Sequence, residues 1–149
     1  MTLNPTKTIF LADDDADDCM LFEDALKEVS DSASLVTAND GVELMDILKK
    51  TVPPPPDVIF LDLNMPRKNG FECLLEIRGS QRFKDIPVVI FSTSSQEDSI
   101  DRVYKAGANF YIKKPGSFPK LKTAIRKILD TDWKNLSGPN TPDQFYFTF

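Results

Sequence analysis

The sequence predicts a doubly wound α/β sandwich, a five-stranded parallel sheet covered by helices on both faces. Three observations predict it. Short apolar runs alternate with helical patterns five times along the 149 residues, and no internal repeat is present. The runs "TIFLA", "VIFL" and "VVIF" are apolar at every position, which marks strands buried on both faces rather than the alternation of a half-exposed sheet. Each strand-like run is followed by a helical stretch, the order that builds parallel βα units through right-handed crossovers. The length suits one well-buried domain and is short for two.

Taken in order, "KTIFLA" (7–12) is the first strand. In "ADDCMLFEDALKEV" (16–29), Cys19, Phe22, Leu26 and Val29 recur at helical spacing. Asp15, Asp17 and Asp18 suit the first turn of that helix, through capping and the helix dipole. "SLVTA" (34–38) leads through the turn signal Asn39-Asp40-Gly41 to the helix "VELMDILKK". The prolines of "VPPPP" (52–56) predict a stiff extended connector. "DVIFLDL" (57–63) is the third strand, followed by a loop and the helix "GFECLLEIRG". "IPVVIF" (86–91) and "EDSIDRVYKAG" form the fourth pair, and "NFYIKK" (109–114) with "PKLKTAIRKIL" (119–129) the fifth. Residues 7–129 therefore make the domain, and 130–149 a tail too short to fold independently. The tail carries Trp133, Phe145, Tyr146, Phe147 and Phe149. Those rings either pack on the protein's own surface or pair with a sheet edge or a second subunit.

Composition narrows the chemistry. The chain has no histidine, which excludes Ser/His/Asp and Cys/His catalytic sets and any His-ligated zinc site. A net charge of −5 argues against coating nucleic acid. No apolar run approaches the roughly 20 residues of a membrane span, and the N-terminus lacks the pattern of a signal peptide. Cys19 and Cys73 have no metal-ligand spacing and read as free thiols, consistent with a reducing cytoplasm.

In an open parallel sheet the functional crevice lies beyond the carboxyl ends of the strands. Asp13 and Asp14 follow strand one, Asp62 strand three, Ser92 and Thr93 strand four, and Lys114 with Pro115 strand five. Three carboxylates in one crevice resist joint ionisation unless a cation neutralises them. Oxygen-only ligands of this kind suit Mg²⁺, with Mn²⁺ as a substitute. One carboxylate would also be a competent nucleophile toward phosphorus, with a lysine and a hydroxyl to hold the phosphoryl oxygens. An EF-hand reading of Asp13, Asp15 and Asp17 fails, because it needs glycine at Asp18 and glutamate at Asp24.

The stretches "FLADDD", "LDLNMPRKNGFE", "PVVIFSTS" and "GANFYIKKP" together resemble the receiver domain of two-component response regulators, from about Lys7 to Leu129. The resemblance implies a flavodoxin-like sheet of order 2-1-3-4-5. It implies that Asp62 is the phospho-acceptor and that Asp13, Asp14, Asp62 and the backbone carbonyl of Asn64 hold Mg²⁺. Ser92, or its neighbour Thr93, takes the place of the phosphoryl-binding hydroxyl, and Lys114 that of the family lysine. Tyr111 resembles the switch aromatic, with Phe110 beside it as the alternative; alternation along the strand should turn one of the two outward. Pro66, Gly70 and Pro115 match structural positions, and the Lys114–Pro115 bond is commonly cis in the family. The implied protein is a stand-alone receiver of the chemotaxis or phytochrome-regulator type, without a DNA-binding output and not an enzyme on external substrates. Its implied partners are a histidine kinase or histidine phosphotransfer protein and a downstream protein. Nucleic acid and membrane are not among them, and a homodimer would use the fourth-helix, fifth-strand, fifth-helix surface or the tail. Two rival classes are a phosphatase of the haloacid-dehalogenase type, which would want an acid where Asn64 stands, and a non-phosphorylated scaffold.

Overall fold

β1 (Thr8–Ala12) lies between β2 (Ser34–Ala38) and β3 (Val58–Leu61), and β4 (Val88–Ser92) and β5 (Phe110–Lys113) follow outward from β3. All these pairings are parallel, in the order β2-β1-β3-β4-β5. The structure is a computed structural model that describes residues 7–133 and 142–149. Between the strands run α1 (Ala16–Val29), α2 (Gly41–Thr51), α3 (Gly70–Arg78), α4 (Glu97–Lys105) and α5 (Phe118–Leu129).

Alternation along each strand divides the apolar side chains between two cores. Ile9, Leu11, Phe60 and Phe91 face α1 and α5, where they meet Phe22, Leu26, Ile125 and Ile128. Phe10, Ile59, Leu61 and Ile90 face the other way, onto Leu44, Leu48 and Ile77 of α2 and α3 and Val103 of α4. Phe22, Phe60 and Phe91 meet edge to face, with centroids 4.9 Å apart for Phe22–Phe60 and 5.9 Å for the other two pairs. Helix starts follow the local sequence. Asp15 caps α1 by accepting from the Asp17 and Asp18 N–H groups, Asp40 caps α2 and Ser117 caps α5. Asn69 and Glu72 close a capping box on α3. α4 has no side-chain cap and only Val103 buried, so it is the most lightly anchored of the five.

The sheet has six strands, one more than the sequence predicts. The single turn α6 (Pro142–Phe145) leads into β6 (Tyr146–Phe147), which pairs in parallel with β5 through Tyr111–Tyr146 and Ile112–Phe147. The tail rings pack on the protein's own surface and the tail also pairs with a sheet edge, the chain's own β5. Phe145 is buried against Tyr104 and Tyr111, while Trp133 and Phe147 both lie against Phe110. This explains a second difference. Phe110 and Tyr111 do face opposite sides of β5, yet both are buried, because the tail covers an edge that would otherwise expose one of them. The proline run also departs from a continuous extended connector, with cis bonds at Val52–Pro53 and Pro53–Pro54. These are the cis bonds among the described residues, so Lys114–Pro115 is trans.

Truncating Phe60 removes one ring of the aromatic triad and two of its three edge-to-face contacts. Phe60→Ala should lower unfolding free energy by about 3–5 kcal/mol in urea titrations, and a loss below about 1 kcal/mol would show that this face is not close-packed.

Candidate functional site

The ladder that ends β1 and β3 sets the first two carboxylates. The Asp13 N–H donates to the Ala38 carbonyl at 3.0 Å and the Asp62 N–H to the Ala12 carbonyl at 3.0 Å, so both residues leave neighbouring strands at the same level. Asp14 is beside them, and one carboxylate oxygen from each of Asp13, Asp14 and Asp62 falls within 4.8 Å of the others. Asp13 and Asp62 are buried and Asp14 is exposed, which leaves the cluster open to solvent on one side.

Lys114 reaches the same point from β5. Its N–H donates to the Ser92 carbonyl at 2.8 Å, continuing the β4–β5 ladder. Its ammonium donates to Asp13 Oδ2 at 2.7 Å, Asp18 Oδ2 at 2.9 Å and Asp62 Oδ2 at 3.1 Å. Burial works against the charge on Lys114, but its hydrogen bonds to Asp13 and Asp18 and the charge on Asp62 outweigh burial and hold the ammonium above the ordinary lysine range. Burial pushes the Asp13 carboxyl up, against the hydrogen bonds from Lys114 and the Asp15 N–H. A buried acid beside two further carboxylates favours an added cation, and an all-oxygen donor set with one exposed member suits a hard divalent ion that retains water.

Of the two hydroxyls at the end of β4, that of Ser92, the last strand residue, is fully buried, with Oγ accepting the Ser94 N–H at 3.2 Å, whereas Thr93 is exposed. Tyr111 is fully buried and donates its hydroxyl to the Ser94 carbonyl at 2.8 Å, a direct tie between β5 and the β4–α4 loop. The Asn64 N–H donates to Asp62 Oδ1 at 3.2 Å. Pro66 and Gly70 shape the loop that follows Asp62. Lys68 N–H donates to the Pro66 carbonyl at 2.7 Å, and a Cβ on Gly70 would lie 2.1 Å from the Asp62 carbonyl oxygen, so only glycine fits there. Pro115 follows Lys114 before the Ser117 cap of α5. Asp18, whose sequence position predicts only a helix start, also belongs to the site through its bond to Lys114. The available signal is its place in the first turn of α1, where side chains tilt toward the helix N-terminus and the acids that precede it.

The response regulator receiver domain model matches residues 9–126. The chain belongs to the response regulator receiver family. Among curated proteins it is similar to response regulator Rcp1 of Synechocystis, 34% identical over 129 residues that cover 84% of this chain and 88% of Rcp1. Among solved structures it is similar to the phosphorylated cyanobacterial phytochrome response regulator RcpA, with a TM-score of 0.79, 35% identity, and coverage of 92% of this chain and 100% of RcpA. It is also similar to the Mn²⁺-bound form of Rcp1, with a TM-score of 0.74, 31% identity, and coverage of 91% of this chain and 99% of that one. Receiver domains bind a divalent metal and signal within two-component phosphorelays, and the acidic cluster of this chain has the donor set for such an ion.

Because a ligand that binds only the folded chain stabilises it, a bound divalent ion at about 100 times its Kd should raise unfolding free energy by about 2.7 kcal/mol. Asp14→Asn should lose most of that gain in a urea titration. An undiminished gain in the variant would remove Asp14 from the ligand set.

Proposed function

We propose that this chain is a phosphoryl-accepting switch whose acceptor is Asp62, supplied by the phosphohistidine of a partner histidine kinase or histidine phosphotransfer protein. The observation that carries this reading is the convergence of Asp13, Asp14 and Asp62 with the Lys114 ammonium at the ends of three different strands. The chain has no histidine, so the phosphohistidine belongs to the partner. An Asp62 carboxylate oxygen attacks phosphorus, the bond from phosphorus to the donor imidazole nitrogen breaks, and the imidazole leaves with that electron pair. An acyl phosphate forms on Asp62, and attack by water later returns the carboxylate and inorganic phosphate. Mg²⁺ held by Asp13, Asp14, Asp62 and the Asn64 carbonyl, or Mn²⁺ in its place, would offset charge on the transferring group.

The protein's own groups then respond to the added charge, about −1.5 to −2 near neutral pH. Lys114, already bonded to Asp62, follows the phosphoryl oxygens. The Ser92 hydroxyl, buried at the end of β4 where Thr93 is exposed, would bond them. Drawing residues 92–96 toward the phosphoryl group moves the Ser94 carbonyl, which is the partner of the Tyr111 hydroxyl. Tyr111 therefore changes its packing, and with it the α4–β5–α5 surface, where α4 has little burial to resist. Phe145 is buried 6.4 Å from the Tyr111 ring and the half-buried Tyr146 lies 5.6 Å from it, so a change in Tyr111 packing would reach the surface at Tyr146, where a downstream protein, or a second copy of the chain, would meet it. A full 1:99 to 99:1 reversal requires the phosphorylated site to favour one state by about 5.5 kcal/mol.

On this reading residues 7–129 are the phosphoryl-accepting domain and 130–149 an accessory tail, acting in the cytoplasm without direct contact to nucleic acid or membrane. The chain takes part in its own phosphorylation and dephosphorylation and turns over no external substrate. Asn64 supports this against the phosphatase alternative, which would place a second acid there.

Asp62→Asn should abolish hydroxylamine-labile phosphate incorporation from a kinase or acetyl phosphate; labelling equal to the native chain would exclude Asp62. Lys114→Ala should retain divalent-ion binding but fail to switch. The single Trp133, packed 5.6 Å from Phe110, gives the readout: its fluorescence should change on beryllofluoride addition in the native chain and stay flat in the variant. An equal response in both would remove Lys114 from the switch.

A further inference from the structure

Arg67 combines a disfavoured backbone with an ion pair across two loops. Among the described residues it is the non-glycine residue with positive φ, at 64°, a conformation in which its Cβ crowds the backbone. Its guanidinium meets Asp40 Oδ2 through Nε at 2.8 Å and through a terminal nitrogen at 2.8 Å. Asp40 is itself fixed, since its Oδ1 accepts the Glu43 N–H at 2.9 Å as the cap of α2. A backbone bond runs parallel to the ion pair, with the Gly41 N–H donating to the Lys68 carbonyl at 3.1 Å. A Cβ on Gly41 would sit 2.2 Å from that carbonyl oxygen, so the approach of the two loops depends on glycine there.

The pinned loop is the one that follows Asp62. It closes on itself through the Gly70 N–H and the Leu63 carbonyl at 3.1 Å, and within it the Asn64 N–H holds Asp62 Oδ1. We propose that Arg67 is a positioning residue: its ion pair with Asp40 holds the left-handed turn that fixes the 63–70 loop, and through it the Asp62 carboxylate and the Asn64 backbone. The inference rests on the proposed reading that Asp62 and the Asn64 carbonyl are metal ligands. The α2 cap thereby becomes part of the support of the phosphoryl site, although Asp40 belongs to a different βα unit.

The test is Mn²⁺ affinity of the full chain by electron paramagnetic resonance, alongside urea unfolding without metal. Asp40→Asn keeps a good helix cap but removes the charge of the pair. Asp40→Asn and Arg67→Ala should each weaken Mn²⁺ binding about tenfold, the size seen when outer supports of a metal site are removed. The double variant should be no weaker than either single one. Arg67→Gly should recover most of the affinity, because glycine takes the left-handed conformation without a clamp. Native affinity in Asp40→Asn and Arg67→Ala, with only urea stability reduced, would make the pair merely structural and overturn the proposal. So would an Arg67→Gly variant as weak as Arg67→Ala, since the turn would then not transmit the effect. Asp14→Asn separates the two layers of the reading. Native Mn²⁺ binding in that variant would show that the ligand assignment itself is wrong, and the inference would fall with it.

Discussion

Carboxylates from neighbouring strand ends do not share a crevice without positive charge to hold them there. In this chain the Lys114 ammonium bonds Asp13, Asp18 and Asp62 at once and is only 11% exposed. Remove that cation and three acids face one another with part of their hydration lost, a situation that raises carboxyl pKa values and favours protonation over ionisation. Burial has already pushed Asp13 up despite Lys114. The site is therefore electrostatically unfinished, poised for a divalent ion or a change in its own charge, and that condition is what a phosphoryl-accepting switch exploits. The parallel sheet supplies the geometry, because β1, β3 and β5 all present their carboxyl ends to the same rim.

The same rim connects to a distant surface by short steps. Lys114 continues the β4–β5 ladder through Ser92, the β4–α4 loop carries the Ser94 carbonyl, and that carbonyl holds the Tyr111 hydroxyl. Beyond Tyr111 lie Tyr104 of α4 and the tail residue Phe145, whose rings are 5.0 Å apart. β6 closes the edge of β5 that a five-stranded sheet would leave unpaired, and so manages an exposed strand within the chain itself. Tyr111 thus touches both the β4–α4 loop, through the Ser94 carbonyl, and the tail, through Phe145 and Tyr146.

Most of the architecture was legible because burial on both faces writes itself as uninterrupted apolar runs. β1, β2 and all five long helices fall within a residue or two of their sequence-based positions. Asp13, Asp14, Asp62 and Lys114 were legible because they stand where strands end. The features that the sequence pattern does not carry depend on contacts distant in sequence. β6 is two residues long, too short for any periodicity, and exists because β5 offers an edge. Asp18 reads as a helix-start acid until Lys114, 96 residues away, is placed against it. Arg67 and Asp40 are 27 residues apart, and nothing in "PRKNG" announces a left-handed arginine. Ser92 and Thr93 differ in burial, which adjacent hydroxyls in a sequence do not reveal, whereas Phe110 and Tyr111 are both buried and differ in the tyrosine hydroxyl's bond to Ser94.

The central claim is that acids from two strands and a lysine from a third surround a single divalent ion. Anomalous diffraction from crystals grown with Mn²⁺ tests it most directly. The account predicts one Mn²⁺ peak in contact with carboxylate oxygens of Asp13, Asp14 and Asp62, with the Lys114 ammonium within hydrogen-bonding distance of Asp62. A peak elsewhere on the chain, or Asp62 turned away from an ion bound at Asp14, would contradict it.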